Sequence, residues 1–246
     1  MKILALDSTA RAASAAIAED DRILSYTVAD SGFTHSEILL PMAEELCRAS
    51  SLTLSDFDYY AVTVGPGSFT GVRIGVSVVK GLALRYPETD KANCVAVSTL
   101  EALAENLTGL DGIYCAVMDA RRGEVYNALF RYEGGTLVRL CEDRALPLSV
   151  LAEELNTVYG AYPVRLVGDG YEVAEKALSA VGVSLVPTPA LLRLQNAASV
   201  AKCAYRLINE GKAVTDRTLS PVYLRLPQAE RERLEKERAS NRQAEK

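Results

Sequence analysis

Apolar and polar positions along the chain recur with two periods, and the switches between them mark out the elements. Lys2 to Asp7 is a short apolar run closed by Asp7-Ser8-Thr9, which predicts a buried strand and a polar turn. Alternation returns over Ala13–Glu19 and Arg22–Ala29, with Glu19-Asp20-Asp21 as the hairpin turn between them. Thr34-His35-Ser36-Glu37 has the form of a capping box. The helix after it sets Ile38, Leu39, Met42, Leu46 and Ala49 at helical spacing, and Pro41 within it predicts a kink or an altered first turn. Tyr59 to Val64 is a second apolar run that stops at Gly65-Pro66-Gly67. From Thr70 the spacing is helical to about Arg85, with the Thr70 hydroxyl placed to cap the first turn. A strand at Cys94–Val97 and a helix from Ser98 to about Asn106 complete a first set.

The order then repeats. Strands are expected at Gly112–Asp119, Glu124–Tyr132 and Leu137–Glu142. A helix at Leu148–Asn156, a strand at Val164–Gly168, a helix at Tyr171–Ala180, a strand at Val183–Val186 and a long helix at Leu194–Asn209 follow. A duplicated α/β unit of this kind implies two sheet-centred domains with a cleft between them, 1–106 and 107–225. Residues 226–246 are almost all polar and charged and form a tail that cannot bury enough surface to fold alone.

Composition narrows the chemistry. The 49% hydrophobic fraction suits a packed soluble domain, and the net charge of −5 argues against a dedicated nucleic-acid surface. Five scattered cysteines without a CxxC spacing read as buried, reduced thiols in a cytoplasmic protein, and no apolar stretch is long enough to span a membrane. The N-terminal run, broken at Asp7, reads as a strand and not as a signal peptide. His35 is the one histidine, so a two-histidine metal site cannot be built, and no nucleophile elbow accompanies it.

The loop from Gly65 to Gly71 could cradle a phosphate on the following helix or shape a surface for another protein. It matches neither the dinucleotide pattern, since Thr70 stands where a glycine is needed, nor a Walker loop, since Val72 and Arg73 follow Gly71. Gly71, Gly75, Val78 and Leu82 share one helix face, and small residues at that spacing admit a close neighbour, either inside the fold or on a partner. Leu40 and Ala43 widen the apolar arc of the preceding helix, which favours a partner-buried surface. Asp7-Ser8-Thr9 and Gly168-Asp169-Gly170 are turns that a two-domain fold could face into the cleft, where Asp7 could hold Mg²⁺ through water.

Taken together, Gly65 to Gly75, Lys80-Gly81-Leu82-Ala83, Asp119-Ala120-Arg121-Arg122-Gly123-Glu124-Val125-Tyr126, Gly168-Asp169-Gly170 and Pro221-Val222-Tyr223-Leu224-Arg225 resemble the TsaB (YeaZ) family. So do His35-Ser36-Glu37 and Leu40-Pro41, and the likeness covers about residues 1–225. The resemblance implies the ASKHA fold of actin, Hsp70 and sugar kinases: two ribonuclease-H-like domains, a duplicated βββαβαβα. It implies a cytoplasmic, non-catalytic subunit of the complex that places threonylcarbamoyl on N6 of an adenosine beside the tRNA anticodon. The expected partners are a TsaD-like catalytic subunit, a TsaE-like P-loop ATPase and, when alone, a second copy, with tRNA met only through the complex. No cofactor is required, although ATP or ADP could bind within the complex, at a vestigial site of Asp7, Ser8, Thr9, Gly168, Asp169 and Gly170. The family's docking helices carry the interface here onto His35, Leu39, Met42, Leu46, Gly71, Arg73, Gly75, Val78 and Leu82. The metal-binding histidine pair of TsaD-like chains falls on Thr99 and Leu103, neither of which can replace an imidazole. Rival readings are an ATPase or small kinase acting alone, a peptidase, and a direct tRNA binder.

Overall fold

A computed structural model describes residues 1–30, 32, 34–84 and 92–225. The expected tail 226–246 and the helix end at Arg85 lie outside them. The first lobe opens with β1 (Lys2–Asp7), β2 (Ala13–Glu19) and β3 (Arg22–Ala29), an antiparallel meander. Helix α1 (His35–Ala49), β4 (Tyr59–Gly65), α2 (Phe69–Ala83), β5 (Cys94–Ser98) and α3 (Thr99–Glu105) follow. Strands β4 and β5 extend the sheet in parallel on the other side of β1, giving the order β3-β2-β1-β4-β5.

The second lobe has β6 (Gly112–Asp119), β7 (Glu124–Glu133), β8 (Thr136–Arg139), β9 (Arg144–Pro147), α4 (Leu148–Val158), β10 (Val164–Val167) and α5 (Tyr171–Ala180). Its sheet runs β8-β7-β6-β10, the same order short of one strand, with β9 also paired to β7. The strand expected at Val183–Val186 is reduced to one bridge between Leu185 and Val164. Pro187 and Pro189 follow it, and a residue without an N–H cannot extend a ladder. Strand β9 was not expected, because Glu142-Asp143-Arg144 breaks the apolar pattern ahead of it.

A 3-10 turn at Ala190–Leu192 leads to α6 (Ala197–Asn209), which corrects the expected domain limits. Val200, Ala201, Cys203 and Ala204 pack on Ile3, Ala5, Ala16 and Val95, so α6 returns to the first lobe. Leu219 enters the same lobe's outer core, and Val214 bridges Cys94 on β5. Helix α3 and the turn after it do the reverse: Leu100, Leu103 and Leu107 pack on Tyr114, Ala116 and Phe130 of the second sheet. The result is five layers: α1 and α2, the first sheet, α6 and α3, the second sheet, then α4 and α5. Ion pairs join the lobes. Glu101 takes both Arg139, at 3.0 Å, and Arg206, at 2.5 Å. Burial pushes the Glu101 carboxyl up, but these two guanidinium groups outweigh it and hold the pKa below the usual range.

Two local expectations change. Helix α1 does carry the Thr34–Glu37 box and runs unbroken through Pro41. Helix α2 starts earlier than its pattern suggests: Ser68, not Thr70, is the cap, and its Oγ accepts from the Gly71 N–H at 3.3 Å.

Candidate functional site

The carboxyl ends of β1, β4, β6 and β10 face one another, and their loops line a cleft of about 600 Å³ between the lobes. Thr9 and Arg11 come from the loop after β1, and Pro66 to Phe69 from the loop after β4. Met118 to Arg121 and Asp169 are the matching contributions of the second lobe. The chain segment Val222–Arg225 crosses the cleft and binds both sides. The Val222 N–H donates to the Val64 carbonyl at 2.7 Å. Tyr223 stacks on Phe69 with ring centroids 4.8 Å apart, and Arg73 donates to its hydroxyl at 2.8 Å. Arg225 donates to the Ala120 carbonyl at 2.9 Å and pairs with Glu124. Gly65, at φ +121°, is required here, because a Cβ would fall on the Val222 carbonyl oxygen.

The six residues of the expected nucleotide site separate. Thr9 and Asp169 reach the cleft. Asp7 is fully buried beneath Thr9, whose N–H and hydroxyl donate to it at 3.0 and 3.1 Å. Burial pushes the Asp7 carboxyl up, and the hydroxyls of Thr63 and Thr9 pull against that shift. Enclosed in this way, Asp7 does not present an oxygen to a hydrated Mg²⁺ in the cleft, so the expected metal contact does not fit. Ser8 turns inward and donates to the Gly71 carbonyl at 2.9 Å. Gly168 and Gly170 serve close approach to the Val117–Asp119 backbone.

Asp169 is the titratable group that could change the cleft's charge near neutral pH. Asp169 remains exposed to solvent at the cleft, and partial desolvation, then the nearby Asp119 charge, raises its pKa to about 6. The native state therefore holds a proton over roughly pH 4 to 6 that the unfolded chain has released, so this site's contribution to stability falls as pH rises through that window. A carboxyl NMR titration is expected to place Asp169 near 6, and Asp169→Asn should remove that part of the pH dependence of unfolding. A midpoint in the ordinary carboxylate range would mean that solvent and not the cleft sets its charge.

The expected partner surface also separates. Leu39 and Leu46 are buried in the chain's own core. Gly71 and Gly75 are buried too, and they face inward. A Cβ at Gly71 would land on the Ser8 carbonyl oxygen, and one at Gly75 would lie 2.8 Å from Ser8 Oγ and 3.0 Å from Val62 Cγ2. The small-residue face therefore admits the β1 loop and β4, not a foreign helix. A bulky residue at Gly75 would therefore disturb the fold itself before it reached any partner. Met42, Val78 and Leu82 are half-buried on the outer side of α1 and α2, beside Ile38 and Ile74, and Arg73 is exposed. His35 is half-buried at the start of α1, where its Nε2 lies 3.3 Å from the Arg11 carbonyl and steadies the β1 loop.

Asp119, Arg121, Tyr126, Tyr223 and Arg225 line the cleft and were missing from the expected site. The available signal was the pair of runs Asp119–Tyr126 and Pro221–Arg225, which belong to the family pattern. Arg121 and Arg122 both adopt positive φ, 66° and 59°, a conformation uncommon outside glycine. Among the described residues, no group of three or more His, Cys, Asp or Glu is placed to hold a metal ion, and no helix is long and apolar enough to cross a membrane.

Two ribonuclease-H-like lobes facing each other across a cleft, each contributing the loops after its first strand and after the strand parallel to it, define a protein of the ASKHA class. The family model for TsaD, tRNA N6-adenosine threonylcarbamoyltransferase, matches residues 30–232. The tRNA threonylcarbamoyladenosine biosynthesis protein TsaB of Bacillus subtilis (strain 168) is 31% identical, over 97% of this chain and 100% of its own length. The protein of the same description from Escherichia coli (strain K12) is 31% identical over 92% and 95%. A solved structure of a Pseudomonas aeruginosa protein, described as similar to peptidase YeaZ, superposes with a TM-score of 0.77 at 29% identity, covering 91% of this chain and 99% of that one. The chain belongs to the TsaB family.

Proposed function

We propose that this chain is a non-catalytic partner subunit in the formation of N6-threonylcarbamoyladenosine in tRNA, binding a TsaD-type transferase that carries out the transfer. The observation that carries the reading is what occupies the positions where TsaD-like chains place their metal-binding histidines. Thr99 and Leu103 sit on α3, both fully buried. Leu103 packs against the second sheet and lies beside Gly168. These positions serve the joint between the lobes, and their side chains cannot ligate a metal as an imidazole does. The biosynthetic role named for the Bacillus subtilis and Escherichia coli relatives supports the choice of pathway step.

The docking surface in this proposal is the outer side of α1 and α2, with Met42, Val78 and Leu82 as its apolar centre and Arg73 at its margin. A TsaE-type ATPase joins the complex, and tRNA is met through the transferase. The rival, an ATPase or kinase acting alone, needs Asp7 open to a metal, and here Asp7 is enclosed by Thr9.

Reconstitution tests the proposal. Threonylcarbamoylation of tRNA by TsaD-type and TsaE-type partners is expected to need this chain, and the chain alone should turn over no nucleotide. Full tRNA modification without it would reject the proposal, and steady ATP hydrolysis by the chain alone would favour the rival.

A further inference from the structure

We propose that Arg73 is a latch between the docking face and the cleft. Through Tyr223 it holds the segment Val222–Arg225 across the cleft mouth, and a carboxylate on the docked partner takes its guanidinium and releases that segment. The inference rests on the docking surface proposed above for α1 and α2. The segment is held at few points. Leu219 anchors the chain ahead of it in the outer core of the first lobe. Beyond that anchor Val222 and Tyr223 are 48% and 41% accessible, so burial does little to fix them. The Val222 N–H donates to the Val64 carbonyl, and Arg225 holds the far lobe through Ala120 and Glu124. Between these points Tyr223 stacks on Phe69, and its hydroxyl accepts from Arg73 Nε at 2.8 Å. Phe69 and Arg73 lie one turn apart at the start of α2, so the helix that carries the docking face also carries the latch.

The surroundings of Arg73 point to a carboxylate as the competing group. The exposed arginines Arg11, Arg22, Arg48 and Arg121 each pair with an acidic side chain of this chain. Arg73 is exposed as well, yet among the described residues it meets aromatic groups and no carboxylate. Its Cζ lies 3.8 Å from the centre of the Phe69 ring, and one N–H is spent on the neutral Tyr223 hydroxyl. A carboxylate accepts two guanidinium N–H groups side by side and binds them more strongly than a phenol does. An acidic side chain brought to α2 by a docked partner therefore wins Arg73 from Tyr223.

Release has a consequence in the cleft. Val222, Tyr223, Leu224 and Arg225 form one wall of the 600 Å³ space, opposite Thr9 and beside Ser68 and Phe69. Once the Tyr223 tie is lost, that wall hangs on the Val222 hydrogen bond and on Arg225, and the cleft opens more readily. Docking on α2 is felt between the lobes in this way, and linkage makes the effect reciprocal. If docking must break the bond between Arg73 and Tyr223, a chain in which that bond is already broken docks more tightly.

The test uses the full chain, alone and with the TsaD-type partner. Hydrogen exchange at the Val222 amide reports the segment. Tyr223→Phe, which keeps the ring and removes the hydroxyl, and Arg73→Ala should each speed that exchange about tenfold. Saturating partner should speed it in the wild type. In titration calorimetry Tyr223→Phe should bind the partner roughly fivefold more tightly than wild type, a direction that simple loss of a structural contact does not produce. Arg73→Glu should weaken binding about tenfold or more. The proposal is overturned by Val222 exchange indifferent to both Tyr223→Phe and Arg73→Ala, by a bound partner that slows or spares that exchange, or by Tyr223→Phe binding no better than wild type. Val78→Arg separates the latch from the surface on which it rests. Unchanged affinity in that variant strikes the docking face and the coupling with it, whereas a complex that depends on Val78 but leaves Val222 exchange alone strikes the latch only.

Discussion

Gly71→Ala is expected to destabilise the protein by about 3 kcal/mol, while Gly81→Ala, on the same helix, should stabilise it by about 0.5 kcal/mol. The two glycines differ only in what surrounds them. At Gly71 the added methyl group falls on the Ser8 carbonyl oxygen, a backbone atom that cannot rotate away. Ser8 is itself tied to that turn of helix through its hydroxyl, which donates to the Gly71 carbonyl at 2.9 Å. The strain must therefore move the β1 loop or the helix, and both line the cleft. At Gly81 no atom lies within 4 Å of the added carbon, so the change acts only on backbone entropy. Urea unfolding of the two variants beside the wild type measures both signs. A Gly71→Ala protein as stable as wild type would mean that the close approach of β1 and α2 is absent in solution.

The second large effect is expected at the outer face of α1 and α2. Val78→Arg, or Met42→Glu, should weaken binding of the TsaD-type partner by about 2 kcal/mol or more, roughly a 30-fold loss of affinity. Both side chains are half-buried, and both lie at the rim of the outer core without filling it. Folding stability should therefore change much less than binding does. Titration calorimetry against the partner, with thermal unfolding as the control, separates the two. Unchanged affinity for both variants would remove this face as the docking surface. It would leave the biosynthetic role to be tested by reconstitution, since a subunit can act through another face.

These predictions differ from what periodicity alone would choose. The i, i+4 spacing of Gly71 and Gly75 identifies a helix side that some neighbour approaches closely, and a helix pattern cannot say whose atoms those are. The answer lies in Ser8, far back in the chain, and in Val62 on the strand before the helix. Ser8 and Val62 fill that space, so the small-residue face belongs to the fold. The same holds for Leu39 and Leu46, whose spacing correctly marks an apolar stripe that the first sheet covers. Asp7 is a similar case: its place after a strand predicts proximity to the cleft, and its burial follows from Thr9 folding back over it.

By itself the sequence determined the order of nearly all the strands and helices, the repeat of a three-strand meander followed by alternating helices and strands, and the motif runs that carry the family. Those features are local: each rests on a period of two or 3.6 residues, a cap, or a turn within a few positions. The tertiary structure alone decided which layer each apolar face joins. It placed α6 on the first sheet and α3 on the second. It also brought Val222–Arg225 across the cleft to Phe69, Arg73 and Glu124, and set Val214 against Cys94 at one edge of the first sheet. The physical reason is that burial of apolar area is not directional. A stripe of hydrophobic residues states that something must cover it, and only the packing of distant segments settles what does.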